Sequence, residues 1–259
     1  MSDASPEAAV LTERRDNILL ITLNRPAARN AVNSALASGI AGALDELDAD
    51  SGLAAGVLTG EGRGFCSGMD LKAFVAGEQV SVAGRGFAGI VETPSEKPLI
   101  AAVEGFAIAG GLEIALACDV IVASREARFG IPEVKRALVA SGGALRRLPE
   151  RVPSGVAMDL ALTGDLIDGE RAHAVGLVDR LTDAGGAVDA ALELARAIAA
   201  NGPLALRATK RILRAQSDWD EATFWRNQDE IAGPVMASED AREGAVAFAE
   251  KRPPEWKGR

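Results

Sequence analysis

The sequence predicts an α/β fold that gives way to an all-helical C-terminal region, and three observations carry that reading. Short apolar runs of strand type alternate with helix-type segments between residues 18 and 123. Twice in that stretch a strand runs through glycine directly into a helix, at 65–71 and at 107–113. From about Gly185 onward helical segments dominate, with no convincing strand between them. Short strands in a strand-strand-helix order suit a stacked spiral as well as a flat open sheet, and the pattern alone leaves both open.

The elements follow in order. Ile18–Leu23 reads as a strand that Asn24-Arg25-Pro26 stops. Asn33 has the chemistry of a helix cap, so a helix is expected from there to about residue 48. A second strand lies around Ala55-Gly56-Val57-Leu58-Thr59 and ends in the turn Gly60-Glu61-Gly62-Arg63-Gly64. Leu99–Val103 leads through Glu104-Gly105 into Phe106-Ala107-Ile108-Ala109, then Gly110-Gly111 and a helix from about 112 to 117. Val120-Ile121-Val122-Ala123 resumes the strand pattern, and a short strand precedes Pro132. Residues 73–91 are rich in Gly and Ala with weak periodicity, a loop or a poorly signalled helix. Beyond Gly185, helices are expected over 188–200, 203–215 and 240–251. The chain divides into a core, 1–195, and a helical region, 196–259.

Composition narrows the chemistry. With 28 Lys plus Arg against 37 Asp plus Glu, the net charge of −9 argues against a nucleic-acid backbone as the main partner. Residues 1–9 lack a basic segment followed by an apolar stretch, and no apolar run approaches the roughly 18 to 20 residues of a membrane span. The expectation is a soluble cytoplasmic protein without a membrane partner. Cys66 and Cys118 form neither a disulfide framework nor, with His173 as the sole histidine, a metal cluster, so no metal is expected. His173 sits in a helix running into Gly176 and reads as structural. With one His and no Tyr, acid–base work falls mainly to carboxylates.

Phe65-Cys66-Ser67-Gly68-Met69-Asp70-Leu71 and Ala107-Ile108-Ala109-Gly110-Gly111-Leu112-Glu113 are the two strand-to-helix junctions. A helix start leaves backbone N–H groups unpaired, with a partial positive charge, and glycine lets a ligand approach. One N–H from each would make a two-donor oxyanion hole if both faced one cleft. Tight turns explain the same glycines, and residue types do not choose between the two. The spacing from Gly105 to Gly110 fails as a P-loop, because Gly111-Leu112 stands where Lys-Ser or Lys-Thr is required. Glu113 is the only charged residue between Gly105 and Asp119, in a run apolar enough to be buried, which pushes a carboxyl's pKa toward working pH. Glu133 follows Phe129-Gly130-Ile131-Pro132, where the proline fixes its backbone. Two such carboxylates bordering one site would suit an acid–base pair acting on water and carbon.

In order and spacing, Leu23-Asn24-Arg25-Pro26, the two junctions, Gly105 through Asp119 and Phe129-Gly130-Ile131-Pro132-Glu133 resemble the crotonase superfamily, closest to its enoyl-CoA hydratases. Ala161-Leu162-Thr163-Gly164, Ala174-Val175-Gly176-Leu177-Val178-Asp179 and the stretch from Glu243 to Arg252 continue the likeness. The resemblance implies a spiral of repeated ββα units and a C-terminal helical trimerisation region, assembled as a homotrimer or dimer of trimers. It implies an acyl-CoA thioester as substrate, whose coenzyme A arrives with it, and no separate cofactor. The N–H groups of Ser67 and Gly110 would hold the thioester oxygen, with Ser67, Gly68, Met69 and Asp70 lining the adenine and pantetheine side. Phe248 and Lys251 match tail positions that contact the CoA of a neighbouring subunit.

Glu113 and Glu133 match both hydratase glutamates. By the resemblance Glu113 is the base on water attacking C3, and Glu133 gives the proton to C2. Ala140-Ser141-Gly142-Gly143 departs from the family's Pro-Gly-Ala-Gly-Gly, with Ser141 in place of a glycine whose N–H positions water. Lys135 and Arg136 bring charge where common hydratases are apolar and read as a solvated face. Two other readings stand beside hydration: a Δ3,Δ2-enoyl-CoA isomerase using one carboxylate, and a non-catalytic acyl-CoA-binding protein. The retained glutamate pair favours hydration over both. The acyl group is undefined, its pocket walls being expected from 72–91 and the C-terminal helices.

Overall fold

A computed structural model describes residues 8–259. The reading of residues 1–9 as carrying no leader lies almost wholly outside the described residues. Strand β1 (Val10–Arg15) turns at Asp16 into antiparallel β2 (Ile18–Leu23). Helix α1 (Ser34–Ala49) begins where the Asn33 side chain accepts the Leu36 N–H at 3.0 Å, as the cap chemistry predicts. Then come β3 (Ala55–Gly60), the short α2 (Leu71–Val75) and a hairpin of β4 (Ser81–Val82) and β5 (Gly86–Phe87). The stretch left open between loop and helix is thus one helical turn followed by a hairpin.

Next are β6 (Leu99–Val103), β7 (Phe106–Ile108), α3 (Gly110–Ala117), β8 (Val120–Ser124) and β9 (Arg128–Gly130). A 3-10 helix, Pro132–Arg136, precedes α4 (Ala144–Arg151) and α5 (Ser154–Thr163). After β10 (Ile167–Asp168), α6 (Gly169–Ala174) and β11 (Arg180–Thr182), the chain is helical: α7 (Ala187–Ala199), α8 (Pro203–Ala215), α9 (Glu221–Met236) and α10 (Glu239–Glu250).

The six-stranded sheet has the order β1-β2-β3-β6-β8-β11, parallel except for β1. A three-stranded sheet, β10-β9-β7, stands beside it. Each of the pairs β6–β7 and β8–β9 gives one strand to each sheet, so the chain winds as a spiral, the choice the sequence left open. Both faces of the large sheet are covered, which explains its unbroken apolar runs. Leu19, Ile21 and Leu23 pack in the cluster that includes Leu36, Ile40 and Leu44 of α1; Ile18 and Leu20 pack with Ala191, Leu192 and Ala195 of α7.

Among the elements the sequence reading left out, which include α4, α5, β10 and β11, two show the physical reason. Strand β1 is a charged, largely exposed edge strand with no apolar stripe. Helix α9 has no fully buried residue and carries Pro234, so its amphipathic signal is weak. The expected boundary after residue 195 falls inside α7, whose inner face belongs to the core; the chain leaves the sheet only after Ala199. No helix among the described residues is long and apolar enough to cross a membrane.

Candidate active site

Strand register assembles the site. Cys66 bridges Ala107 in parallel, and Ala107 pairs with Phe129. Three successive turns of the spiral are therefore stacked, neighbouring strands standing roughly 4.8 Å apart. Three residues beyond the stacked positions lie Met69, Gly110 and Pro132, followed at once by Glu133. Residues far apart in the chain thus reach one edge of the spiral together. Gly111 shows how tight the stack is, since a Cβ there would run into the Cys66 carbonyl oxygen.

At each junction a residue with positive φ aims the next N–H. Gly68 has φ +97°, and any Cβ on it would meet the Ala109 methyl at 2.9 Å and the Gly110 nitrogen at 3.0 Å. Ala109, the N-cap of α3, has φ 54° and ψ −130°, a conformation that costs a non-glycine residue about 1–3 kcal/mol and collects at functional sites. The Met69 and Gly110 N–H groups that follow have no hydrogen-bond acceptor among the described residues. Both residues line one open cleft, together with Ser67, Glu113 and Glu133. The Phe87 ring stands over Gly110, where a Cβ would meet it at 2.6 Å.

This geometry changes the expected donor. The Ser67 N–H donates to the Arg29 carbonyl at 3.1 Å and is therefore not free for a ligand, whereas that of Met69 is. Segment 25–32 acts as a rack for the junction. Val32 accepts from Asp70 and donates to Gly68, and the buried Asn30 amide donates to the Glu61 and Gly64 carbonyls. Asp70 was expected to line the CoA side. Its carboxylate instead caps α2, accepting from Lys72 and Ala73, and pairs with Arg25 at 3.1 Å. The Arg25 guanidinium also holds the Ala31 carbonyl. Those amides and Arg25 hold the Asp70 carboxyl below its ordinary range against partial burial.

Glu113 is 4% exposed in the first turn of α3. Its Oε1 accepts the Ala144 N–H at 3.2 Å, and the Gly142 backbone lies close against the carboxylate. Burial raises its pKa and the charge of Glu133 adds to the rise, while the nearby Ala144 and Gly142 amides and Arg147 oppose it. Glu133 follows Pro132 in the 3-10 helix, and its Oε2 is buried without a hydrogen-bond partner. Burial raises this carboxyl as well, opposed by its own backbone N–H and by Arg136. The two glutamates face one cleft with raised proton affinity, beside two unpaired N–H donors.

The remaining expected residues sort as follows. Ser67 and Ser141 line the cleft, while Gly68 shapes the junction from behind. Phe248 is 88% exposed on α10, and neither it nor Lys251 lines the cleft of its own chain. Lys135 pairs with Asp165 at 2.6 Å, whereas Arg136 lines the cleft and is not part of a merely solvated face. The His173 Nδ1 lies 2.9 Å from the Val178 carbonyl oxygen, a structural contact away from the cleft. Cys66 and Cys118 are free, buried and pushed up to about 12 by desolvation. Sequence reasoning missed Met69 as a donor and Gly142 as a carboxylate partner. The glycine immediately before Met69 was the available signal for the first, and the Gly-Gly before α4 for the second.

The cleft has a volume of about 2480 Å³ and runs from Phe74 and Phe87 to Leu206 and Arg214 of α8. That exceeds the roughly 300–1,000 Å³ of a compact ligand pocket. Residues 13–259 match the enoyl-CoA hydratase/isomerase family. The chain is similar to the crystal structure of enoyl-CoA hydratase EchA1 from Mycobacterium marinum, with 59% identity, a TM-score of 0.96, and 98% of this chain and 100% of that one covered. It is 41% identical to enoyl-CoA hydratase EchA19 of Mycobacterium tuberculosis, over 99% of this chain and 98% of the relative. Carnitinyl-CoA dehydratase of Proteus mirabilis is 38% identical over 95% of this chain and 97% of its own.

Proposed function

Since the chain belongs to the enoyl-CoA hydratase/isomerase family, we propose that it is a hydro-lyase that adds water across the 2,3-double bond of a trans-2-enoyl-CoA to give the 3-hydroxyacyl-CoA. The observation that carries this reading is the buried Glu113 and the half-buried Glu133 facing one cleft beside two free amides, with the Glu133 Oε2 buried and unpartnered. Two carboxylates serve hydration, which needs one proton removed from water and one delivered to carbon.

In this scheme the thioester oxygen accepts from the Met69 and Gly110 N–H groups, which stabilise the charge that grows on it as C3 is attacked. Such a donor is worth about 2.7–4 kcal/mol. Glu113, oriented by Gly142 and Ala144, takes a proton from water as the water oxygen bonds to C3. Glu133 gives its proton to C2 and the enolate collapses to the saturated thioester. Proton transfer of this kind contributes about 10²–10⁴ in rate at each group. Coenzyme A enters and leaves as part of the substrate.

Helices α8 to α10 carry exposed apolar side chains, Leu213, Trp225, Met236 and Phe248 among them, a surface suited to burial between copies of the chain. The assembly proposed is a homotrimer or a dimer of trimers, in which Phe248 and Lys251 reach a neighbour's CoA. Hydration of crotonyl-CoA, followed by loss of the conjugated thioester chromophore, tests the activity, with Glu113→Gln and Glu133→Gln as controls. Isomerisation of a 3-enoyl-CoA that survives either change without hydration would support the isomerase reading instead.

A further inference from the structure

The 3-10 helix that presents Glu133 also presents a cation. In a 3-10 helix side chains three apart eclipse one another, so Arg136 lies along the same face as Glu133. Both line the cleft, while the adjacent Lys135 turns away to Asp165. Among the described residues Arg136 makes no ion pair or side-chain hydrogen bond. Its neighbours on the cleft wall differ: Arg146 is taken by Asp218, Arg147 by the Val91 carbonyl and Arg151 by Asp179. The loop that follows brings exposed Leu138 and Val139 to the same wall, with Phe74 also lining the cleft. An acyl chain held by its thioester at Met69 and Gly110, with C2 and C3 at the glutamates, would share the cleft with that apolar collar and with an unpaired guanidinium on the face that carries Glu133.

We propose that Arg136 selects enoyl-CoA substrates whose acyl chain ends in an anionic group, a carboxylate above all, and disfavours those ending in a cation. This rests on the hydratase reading of the same site. A guanidinium matches a carboxylate with two parallel N–H donors, a recognition that lysine reproduces poorly.

The test compares two substrates of equal length, trans-2-hexenoyl-CoA and its counterpart ending in a carboxylate, trans-2,3-dehydroadipyl-CoA, on the full-length protein and on Arg136→Met and Arg136→Lys. Any effect of the arginine on Glu133 scales both substrates alike, so the ratio of their kcat/KM values is the readout. The acid is expected to be preferred by wild type. R136M is expected to lower that ratio about 10- to 100-fold and R136K by less, as befits loss of a charge-assisted hydrogen bond. A wild-type ratio at or below one, or a ratio that R136M leaves unchanged, overturns the proposal. Binding of the unreactive adipyl-CoA and hexanoyl-CoA, measured by calorimetry on the same proteins, keeps the two readings apart. If neither enoyl substrate turns over, the hydratase reading fails, yet an R136M-sensitive preference for adipyl-CoA would still support the role of Arg136, and its absence would refute it.

Discussion

Gly142 is packed so closely against Glu113 that a Cβ on it would stand 2.5 Å from the carboxylate Oε2. The backbone amide of the same residue lowers the proton affinity of that carboxyl against its burial, so the glycine makes room for the proposed base and its amide acts on it. Gly142→Ala should therefore lower kcat far more than stability, on the order of 10²-fold for a displaced general base. Steady-state kinetics with parallel thermal melts check this; a variant with normal kcat would show that Glu113 has room to move without cost.

Glu113 has a raised pKa in the folded chain, chiefly through burial, against about 4.3 when unfolded. A carboxyl raised on folding holds its proton more tightly in the native state, so it costs stability once pH exceeds the unfolded value, and the cost grows until the folded value is passed. Glu113→Gln removes that cost. It should abolish hydration yet raise the Tm, with a gain that is small near pH 4 and larger at neutral pH. Melts of both proteins across that range give the answer.

In wild type the acidic limb of the kcat/KM profile should lie above the ordinary glutamate value, because the base must lose its proton and both carboxyls are raised by burial. The two charges interact, so the limbs belong to the pair and not to either residue. A profile whose acidic limb falls at the free-glutamate value would contradict the buried pair.

Asp70 caps α2 and pairs with Arg25, so its expected influence on the site is through the backbone it holds. Asp70→Ala removes the α2 cap and the partner of Arg25, and loss of a cap alone costs about 1 kcal/mol. Since Met69 is its chain neighbour, kcat/KM should fall about tenfold through a looser donor. Asp70→Asn, able to cap through its amide oxygen, should recover part of the loss.

Asp119 ties α8 to the sheet. It accepts from the Leu99 N–H, pairs with Lys210 at 2.7 Å and with Arg214 at 2.8 Å, and those cations also bind the Lys97 and Ala117 carbonyls. Asp119→Asn leaves a largely buried ammonium and a guanidinium without their charge partner, and should cost about 1–3 kcal/mol. Denaturant unfolding measures it; a loss below a few tenths would mean that α8 is held by other contacts.

Much of the fold was legible because its signals are local. Unbroken apolar runs marked β2, β3, β6 and β8, since each is covered on both faces, and Asn33 announced α1 through a side chain bonded three residues away. Glu113 and Glu133 stood out by chemistry, as lone acids in apolar or proline-fixed surroundings. What those signals have in common is that each can be read within a few residues.

The sequence by itself determined which residues are strands, caps and candidate acids, because periodicity and capping are written into neighbouring side chains. Only the tertiary structure decided which backbone N–H is free. Ser67 and Met69 look equivalent in the chain, but the carbonyl of Arg29, brought up by the rack, occupies one and leaves the other open. It likewise turned Asp70 inward to Arg25, moved Phe248 and Lys251 to the outer surface, and placed Arg136 along the face of Glu133. Hydrogen-bond partners and charge partners supplied by distant segments are set by the stacking of the spiral, and no local pattern encodes them.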